Sequence, residues 1–523
     1  MATLVDLLAQ ATEEHGNREA VWMRRGSGGD AWTYAELWRK AQNLSAFFHQ
    51  QGIGKGQRVL VYAPNSPQLV ATYFALFMAG AIVVPIDLRS APEVTSRIRE
   101  KARAHTLISG APVPSELDRV QRLKIDTLPF DEPSASTVSR EQGPGPAADD
   151  LAEIVFTSGT TGSPKGVMLT HANIAANAAA AATLLQDLHN FRALSILPLS
   201  HMFEQIALYA GLKLGATFNY VDSLTPNTLF EVLKERQVTM IPTVPHVMQL
   251  FYSAIEAEVR RQGKAGSWKL ANRIATRLPF ALRRRLFSRV HQRLGGHLEY
   301  FFAGGAYLPP ELQVAWEKLG IKVLQGYGTT ECSPVVSACP LDRRRPGSVG
   351  LPLPGVEVRL AEDGEILVRG ASVTPGYFED PEATSAALME GWYRTKDLGV
   401  IDEDGFLFIK GRKDDMIPLP DGQNLYPEDI ENALRQQLPI RDAVVFGLPR
   451  RQGVQLHAVV LPEPNQDGAP ATSEEIAQAV RATNLSLANY QRVDSHQVWQ
   501  GADFPRTHTL KVKRPEVLRD LSQ

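Results

Sequence analysis

Cysteine is scarce in this chain. Among 523 residues only Cys332 and Cys339 occur, too few and too close together for a disulfide scaffold or a four-ligand zinc site, so both are interpreted as ordinary reduced side chains. No stretch reaches the roughly 18 apolar residues that a membrane-spanning helix needs. The N-terminus carries acidic residues early and has no signal-peptide pattern. These absences predict a soluble, cytoplasmic protein.

An excess of charge of either sign is also missing. Lys and Arg number 55 against 57 Asp and Glu, which leaves a formal net charge of -2. Nucleic-acid-binding proteins need a basic surface that neutralises phosphates, so this balance argues against a nucleic-acid partner. The hydrophobic content of 44% is ample for a core, and the length predicts several structural units.

What the sequence does contain is a loop rich in glycine, serine and threonine. The apolar strand LAEIVF, residues 151–156, leads into TSGTTGSPKG within the segment 156–174, and a helix is expected to open after this loop. Backbone N–H groups and hydroxyls of such a loop can face one anion, which indicates a triphosphate cradle. A Walker A loop would need Ser or Thr directly after Lys165, but Gly166 stands there. The alternative interpretation is a flexible loop without a ligand.

Strands and helices alternate along the chain. Apolar runs such as RVLVYAPN and AIVVPID are separated by helical patterns, which predicts a parallel sheet flanked by helices. One of these helices is expected to begin after Thr33 as N-cap and to end at Gly52. Residues 133–150 are rich in Ser, Pro, Gly and Ala and are predicted to form a surface connection.

Three later strands end in small or polar residues. His201 follows ALSILPLS, Gly304, Gly305 and Ala306 follow LEYFFA, and IKVLQGYGTT leads to Glu331. Functional groups of α/β folds gather at strand ends, where small residues leave room for a flat ring and a carboxylate can ligate Mg²⁺. A lone histidine is more often a structural residue.

Five segments, in order, resemble the adenylate-forming superfamily of acyl-CoA synthetases, luciferases and peptide-synthetase adenylation domains. They are FTSGTTGSPKG, YGTTE, WYRTKD, KGRKDD and PRTHTLKVKR, and they span almost the whole chain. LPLSHMFEQ, AGGAYLPPEL and THTLKVKR are most similar to the long-chain fatty acyl-CoA synthetases. The resemblance implies an α/β fold: a large N-terminal adenylate-forming domain, residues 1–412, with parallel sheets flanked by helices plus a small β-barrel subdomain, and a small mobile α+β C-terminal domain, residues 413–523.

The resemblance implies an ATP site made from these segments. The Gly/Ser/Thr loop would wrap the β- and γ-phosphates, Tyr327 would help to sandwich adenine, and Asp397 with Arg412 would bind the ribose. Mg²⁺ would be held by Thr160 and Glu331, and the implied catalytic residues are Lys511, Thr160 and Glu331. The implied ATP- and AMP-binding set is Thr157, Ser158, Gly159, Thr160, Thr161, Gly162, Lys165, Gly304, Gly305, Ala306, Gln325, Gly326, Tyr327, Gly328, Thr329, Asp397, Arg412 and Lys511.

The C-terminal segment carries the implied catalytic lysine. By resemblance, Lys511 touches both the substrate carboxylate and the α-phosphate, and Lys513 is its nearby competitor for this role. Asp414 matches the hinge about which the C-terminal domain rotates between half-reactions. This sequence reads Thr395-Lys396-Asp397 where the family usually has glycine in the middle, which leaves the local loop geometry open.

The activity implied is the ligation of a carboxylic acid to CoA through an acyl-adenylate, with ATP and Mg²⁺. His201 is placed at the mouth of the acyl pocket, with Met202, Phe203 and residues 243–250 as walls. No charged group for an amino acid or dicarboxylate is evident there, which favours an apolar acid such as a long-chain fatty acid.

The basic, amphipathic residues 273–296 have two interpretations. They could lie on a membrane surface and collect fatty acid from lipid, or form a helix that packs its apolar side while its arginines face water.

Other functions remain open at this stage. The acyl group could pass to a separate carrier protein, or the acid could be aryl or medium-chain. A luciferase-like monooxygenase and a nucleotide-binding protein without catalysis are the remaining classes. The oligomeric state is open, with a homodimer as one option.

Overall fold

The structure is a computed structural model that describes residues 2–25, 28–117, 120–132, 145–157, 164–188, 191–419, 424–450, 454–463, 469–506 and 512–521. Most of the surface connection predicted at 133–150 lies outside these residues. The chain forms two compact units: residues 1–358 with 368–394, and residues 359–367 with 395–523. No helix in the described ranges has the length and apolar character needed to cross a bilayer.

Sixteen helices are described. They are α1 (Leu4–His15), α2 (Tyr34–Gln50), α3 (Pro67–Met78), α4 (Pro92–Ala102), α5 (His171–Leu184), α6 (Met202–Lys213), α7 (Pro226–Glu235), α8 (Pro245–Arg261), α9 (Ala265–Ala275), α10 (Phe280–Leu286), α11 (Ser288–Arg293), α12 (Pro310–Lys318), α13 (Pro381–Ala387), α14 (Pro427–Arg435), α15 (Ser473–Ser486) and α16 (Arg514–Leu521). Single 3₁₀ turns lie at Ser115–Leu117, Ile125–Thr127, Thr330–Cys332, Lys413–Asp415 and Asn489–Gln491.

The strands in the first part of the chain belong to two large sheets. They are β1 (Glu19–Arg25), β2 (Gly28–Thr33), β3 (Arg58–Tyr62), β4 (Ile82–Pro85), β5 (Thr106–Ser109), β6 (Gln121–Lys124), β7 (Leu151–Thr157), β8 (Lys165–Thr170), β9 (Arg192–Leu194), β10 (Thr217–Tyr220), β11 (Met240–Thr243), β12 (Tyr300–Ala303), β13 (Lys322–Gly328), β14 (Val335–Ala338) and β15 (Leu351–Pro352).

The later strands, apart from β18, belong to smaller sheets. They are β16 (Val356–Leu360), β17 (Glu365–Gly370), β18 (Gly376–Tyr377), β19 (Leu388–Met389), β20 (Trp392–Ile401), β21 (Leu407–Arg412), β22 (Ile417–Pro418), β23 (Asn424–Leu425), β24 (Ile440–Pro449), β25 (Val454–Pro462) and β26 (Ser495–Val498).

The predicted parallel sheets flanked by helices are confirmed in the first unit. One sheet has the order β18-β8-β7-β4-β3-β5-β6 and the other the order β15-β14-β13-β12-β11-β9-β10-β1-β2. Neighbouring residues of a strand contribute to opposite faces: Phe302 joins the core that holds α3, α5 and α6, while Phe301 joins the core of α7, α8 and α12. Because both faces are covered, apolar strands without polar alternation are expected here.

Helix caps agree with the sequence. Thr33 caps α2 with a reciprocal hydrogen-bond pair to Glu36, and Gly52 follows the helix with a φ of 74°. Such a left-handed residue after a helix is the normal place for glycine. Thr3 and Asp6 form the same kind of box at the start of α1. The predicted start and stop of α2 are thereby confirmed.

One element differs from the sequence prediction beside the Gly/Ser/Thr loop. The helix α5 does not follow this loop directly, because β8 comes first and runs back antiparallel along β7, with Thr157 opposite Lys165. The backbone of β8 pairs with β7 on one edge and with β18 on the other. These tertiary pairings, with the β-branched and apolar residues of KGVMLT, give a strand at this position. The loop therefore connects a hairpin instead of opening a helix.

The basic residues 273–296 also differ from the prediction of one amphipathic helix. They fall into the end of α9, then α10 and α11. Pro279 interrupts the pattern because proline cannot continue a helix from the preceding turn. The faces of these short helices are described below.

A smaller, five-stranded sheet stands where the family resemblance implies a small β-barrel subdomain. Its order is β16-β17-β20-β19, and β21 also pairs with β20. A barrel requires the last strand to pair with the first. The described pairings do not close in this way.

The second unit contains a separate α+β core. Its sheet has the order β24-β25-β26, and Val445 faces the core of α14 and α15 while Val444 and Phe446 face Phe504 and Val517 of the opposite side. Helix α15 begins with a capping box between Thr472 and Glu475. The predicted α+β pattern of the smaller domain is confirmed.

A carboxyl group is fully buried in the core of the first unit. Glu153 lies in the middle of β7, and its Oε2 accepts a hydrogen bond of 3.1 Å from Gln205 Nε2 of α6. Burial raises the pKa of Glu153 to about 8, although the hydrogen bond from Gln205 opposes this shift. The folded protein therefore keeps a proton on Glu153 at pH values where the unfolded chain has released it.

We predict that Glu153→Gln removes part of the pH dependence of stability. Between about pH 4.5 and pH 8 the folded state binds the extra proton, so the free energy of unfolding of the native protein falls as pH rises through this window. Gln at position 153 does not titrate, so the stability of the variant relative to the native protein should grow by on the order of 3 kcal/mol from pH 5 to pH 8. Thermal unfolding across this range measures it, with the exposed Glu13→Gln as control. Parallel curves for native protein and Glu153→Gln would refute the assignment.

Candidate active site

The hairpin of β7 and β8 carries the first predicted site residues. Thr157 ends β7 opposite Lys165, which begins β8. Gly166 is opposite Phe156, and a Cβ there would stand 2.9 Å from Ile154 and 3.1 Å from Phe156, so packing excludes a side chain after the lysine. Ser158, Gly159, Thr160, Thr161 and Gly162 lie outside the described residues.

Lys165 and Glu331 share one neighbour that sequence reasoning missed. The hydroxyl of Tyr377 donates a 2.9 Å hydrogen bond to Glu331 Oε1, and Lys165 Nζ lies 5.4 Å from the centre of the Tyr377 ring. Burial and the charge of Glu331 raise the pKa of Tyr377, so its hydroxyl stays protonated as a donor. A tyrosine more than 40 positions from either partner gives no sequence signal for this contact.

The turn that carries Glu331 is held by a buried amide. Asn177 of α5 donates from Nδ2 to the carbonyls of Cys332, at 3.2 Å, and Val335, at 2.7 Å, and its Oδ1 accepts from the Val335 amide. Asn177 is fully buried, so each of these bonds is costly to lose. Glu331 is thus presented from a fixed turn.

The ends of β12 and β13 bring the predicted adenine-binding residues side by side. Ala303 pairs with Gln325, so Gly304, Gly305 and Ala306 follow β12 next to the strand that carries Gln325, Gly326 and Tyr327. Gly305 has a φ of 77°, a backbone conformation that glycine adopts without strain. At Gly328 a Cβ would stand 1.8 Å from the Pro334 carbonyl oxygen, so the chain passes too close for any side chain.

One buried polar atom at this strand end, Gln325 Oε1, lacks a hydrogen-bond partner among the described residues. Nearby, the buried Thr329 Oγ1 faces the hydroxyl of Tyr393. A buried polar atom without a hydrogen bond costs on the order of 1 to 3 kcal/mol, which a bound ligand can offset. Together with the small residues beside it, Gln325 Oε1 fits a nucleotide.

The fit of Mg²⁺ rests on oxygen donors. Glu331 is half-buried and offers a carboxylate, the type of ligand that Mg²⁺ prefers. The described ranges contain no cluster of three or more His, Cys, Asp or Glu side chains able to hold a metal by themselves. A single carboxylate beside bound phosphates is the usual environment of Mg²⁺ in such sites, so the residues present fit the ion.

His201 meets a carboxylate from the other large sheet. Its Nε2 lies 2.7 Å from Asp87 Oδ2, and Asp87 follows the end of β4. Burial disfavours the charged form of Asp87, but hydrogen bonds from His201 and Arg89 outweigh it and lower the pKa of the carboxyl. The ionised Asp87 fixes the orientation of the imidazole. A carboxylate directly after the buried strand AIVVPI is a signal that could have found it.

In the second unit Asp397 and Arg412 lie together. They are paired across β20 and β21, and Arg412 Nε lies 3.2 Å from Asp397 Oδ1. Asp397 is 9% exposed, and its amide donates to Thr395 Oγ1. The register of this hairpin therefore brings the two predicted ribose-binding residues together.

Lys396 retains the backbone that the usual glycine would adopt. Its φ is 60°, in the left-handed region. The ammonium group of Lys396 lies 3.1 Å from Asp414 Oδ2, so the substituted residue contacts the predicted hinge position. The neighbouring Lys413 contacts Asp363 and Glu365, which ties this segment further.

Lys511 lies outside the described residues. The residues around it are described: Arg506 and Val512 form an antiparallel bridge, and Arg506 pairs with Asp442 at 2.7 Å. Its competitor Lys513 forms an exposed ion pair of 3.0 Å with Glu516.

Comparison with known families identifies the chain. The model of the AMP-binding enzyme matches residues 8–378, and that of the AMP-binding enzyme C-terminal domain matches residues 414–523. The chain belongs to the AMP-binding enzyme family. Its class is that of the AMP-forming acid–thiol ligases.

Individual relatives cover nearly the whole chain. A long-chain-fatty-acid–CoA ligase of Bacillus subtilis (strain 168) is 28% identical over 553 residues, with 94% of this chain and 90% of the relative covered. A feruloyl-CoA synthase of Amycolatopsis sp is 30% identical over 521 residues, with 94% of each covered. O-succinylbenzoate coenzyme A synthetase (MenE) from Bacillus subtilis, in complex with AMP, has the same fold with a TM-score of 0.80 at 23% identity, over 98% of this chain and 97% of its own.

We predict that Lys396→Gly is more stable than Lys396→Ala. Both variants lose the ion pair with Asp414, which is exposed and contributes at most about 1 kcal/mol. Only alanine keeps the cost of a left-handed backbone, about 1 kcal/mol. Thermal or denaturant unfolding of the two purified variants measures the difference. Equal stability, or a more stable alanine variant, would show that the positive φ of Lys396 carries no strain.

Proposed function

We propose that this chain joins a long-chain fatty acid to coenzyme A through an acyl-adenylate, with ATP and Mg²⁺. The observation that carries the proposal is an apolar cavity of about 20 Å³ between α5, α6 and the sheet of β9 to β12, which a bound acyl chain would widen by displacing the side chains around it. Every residue that lines it is apolar: Ala181, Leu185, Phe191, Ala193, Ile206, Ala207, Ala210, Phe218, Met240, Pro242 and Phe302.

An aromatic pair stands between this cavity and the predicted nucleotide-binding backbone. Phe203 stacks on Phe302, with ring centres 5.7 Å apart. A Cβ on Gly304 would stand 3.2 Å from the Phe203 ring, whereas Phe302 itself lines the cavity. An acid whose carboxylate lies near Gly304 would direct its apolar part past Phe203 toward the cavity. Burial of each methylene there contributes about 0.8 kcal/mol to binding.

In the proposed first half-reaction, a carboxylate oxygen attacks the α-phosphorus of ATP and pyrophosphate leaves. Lys165 and the loop of residues 157–162 hold the β- and γ-phosphates, and Tyr377 orients Glu331. Thr160 and Glu331 would hold Mg²⁺, which would supply positive charge to the phosphate oxygens. Lys511 stabilises the charge that develops at the α-phosphate, where a fixed cation is most effective.

In the proposed second half-reaction, the CoA thiol attacks the acyl carbonyl and AMP leaves. Activation is needed because a free carboxylate is a poor acyl donor. The domain of residues 413–523 rotates about Asp414 between the two steps and withdraws Lys511. Asp397 and Arg412 hold the ribose of the nucleotide in this scheme.

We predict that Lys511→Ala abolishes adenylate formation but not thioester formation from supplied acyl-AMP. Loss of one preorganised charge at the transition state costs about a hundred-fold or more in rate. Pyrophosphate release reports the first step, and conversion of synthetic acyl-AMP with CoA reports the second. Lys513→Ala is the matched control, because Lys513 pairs with Glu516 and should change neither rate strongly. If Lys511→Ala slows both steps equally without unfolding, its assigned role is wrong.

An aryl acid is the second candidate substrate. The feruloyl-CoA synthase at 30% identity favours it, and the stacked pair of Phe203 and Phe302 offers an aromatic surface to a flat ring. This candidate would place the ring of the acid beside Phe203 and leave the cavity unused.

The acid panel separates the two candidates. We predict that AMP release with ATP, Mg²⁺ and CoA is highest with long-chain acids in a series from acetate to oleate with benzoate and ferulate, and that mass spectrometry finds the acyl-CoA.

We predict that Phe203→Ala, which removes the aromatic ring from the side of the acyl pocket, moves the preferred chain length upward. Phe203→Leu has a side chain of intermediate size and should move the preferred length less.

Each outcome decides the proposal. A ferulate or benzoate maximum would replace the long-chain proposal by the aryl one. Pyrophosphate release with adenylate accumulating and no acyl-CoA would show that CoA is not the acceptor. If the native protein prefers long-chain acids and Phe203→Ala prefers the same chain length, the long-chain substrate is supported but Phe203 does not line the acyl pocket.

A further inference from the structure

The helices from the end of α8 to α11 in the first unit carry many basic and exposed apolar side chains. No Asp or Glu occurs between Glu258 and Glu299, although Lys and Arg recur throughout that stretch and the whole chain has a net charge of -2. The helices pack together through Trp268 of α9, whose ring lies 6.5 Å from Tyr252 of α8 and 5.3 Å from Phe287, which follows α10. The outward faces of these helices therefore belong to one surface.

Two arginines of α10 point inward. Arg283 donates to the carbonyls of Leu278, at 2.7 Å, and Glu317, at 2.9 Å. Arg284 donates to the carbonyl of Leu298 at 2.7 Å. The two guanidinium groups donate hydrogen bonds to backbone carbonyl groups near helix ends and hold the helices together. They are therefore not part of a basic face exposed to solvent.

Aliphatic side chains occupy the outward faces instead. Leu270 and Ile274 lie one turn apart on α9 with exposures of 57% and 45%, and Leu282 and Leu286 lie one turn apart on α10 with exposures of 42% and 41%. Leu250 of α8 is 55% exposed. A single exposed leucine is normal in a folded protein. Pairs of exposed aliphatic residues one turn apart, on two adjacent helices, indicate an interaction surface.

Exposed cations flank the aliphatic pairs at the same spacing. Lys269 and Arg273 precede Leu270 and Ile274 by one position each on α9. Arg285 precedes Leu286 at the end of α10, and Arg289 lies in the first turn of α11. None of these four cations has an ion-pair or hydrogen-bond partner for its side chain within the described ranges. The nearest acid along the chain, Glu258, is paired with Arg261.

We propose that this surface docks on an anionic lipid bilayer. Helices that present aliphatic side chains flanked by Lys and Arg lie in the plane of the interface, with the aliphatic groups among the acyl chains and the cations at the headgroups. Anionic lipids attract each such cation. An acidic protein would match the charge but would leave the repeated leucines without an apolar counterpart, so the bilayer is favoured. The proposal is independent of which acid the enzyme activates.

Flotation of the full chain with lipid vesicles tests it. We expect binding to vesicles of phosphatidylcholine with 30% phosphatidylserine, weaker binding to pure phosphatidylcholine, and a decline as salt is raised. Replacing Lys269, Arg273, Arg285 and Arg289 by Gln should lower the partition coefficient by about five-fold for each charge removed. Replacing Leu270, Ile274, Leu282 and Leu286 by Gln should abolish binding at all salt concentrations.

The matched control removes equally exposed leucines elsewhere. Leu438→Gln with Leu485→Gln, at positions 93% and 86% exposed in the second unit, should leave binding unchanged. Circular dichroism checks that every variant is folded. Equal binding to neutral and anionic vesicles, or unchanged binding of the four-cation variant, would overturn the proposal. The absence of any vesicle binding would also overturn it and leave an acidic protein as the partner of this surface.

Discussion

The pairing of β8 between β7 and β18 is the contact on which the candidate site depends. It turns the Gly/Ser/Thr segment into a hairpin connection and fixes Lys165 opposite Thr157. The same strand holds β18, with Tyr377 opposite Val167, and so brings the tyrosine to both Lys165 and Glu331. Packing of Gly166 against Ile154 and Phe156 leaves little freedom for this arrangement. Backbone pairing thereby places Lys165 and Tyr377, and the Tyr377 side chain links them to Glu331.

Much of the fold could be predicted from the sequence because local and tertiary preferences agree. Apolar strands that alternate with helical patterns predict a parallel sheet with flanking helices, and Thr33 and Gly52 predict the two ends of α2. Prediction failed where tertiary contacts decide. Strand β8 forms because its backbone hydrogen-bonds to β7 and β18. Residues 273–296 form short helices because Pro279 interrupts the helical pattern. Both results depend on neighbours that local periodicity does not show.

The candidate site was predictable in part, for a related reason. Residues such as Gly304, Gln325 and Asp397 lie in recognisable segments, and the strand register brings the members of each segment together. Tyr377 and Asn177 act through contacts between distant parts of the chain and carry no motif of their own. Asp87 is intermediate, because a carboxylate after a buried strand is visible in the sequence but its histidine partner comes from another sheet. Lys396 shows that a side chain can replace glycine at a positive φ where ion pairs hold it.

The central claim is that the chain activates an acid by adenylation before any thiol is involved. Exchange of labelled pyrophosphate into ATP, measured with a fatty acid and Mg²⁺ but without CoA, tests this claim most directly. The account predicts exchange that depends on the acid, because acyl-AMP formation is then reversible at equilibrium. Exchange without any acid, or the formation of ADP and phosphate in place of AMP and pyrophosphate, would contradict it.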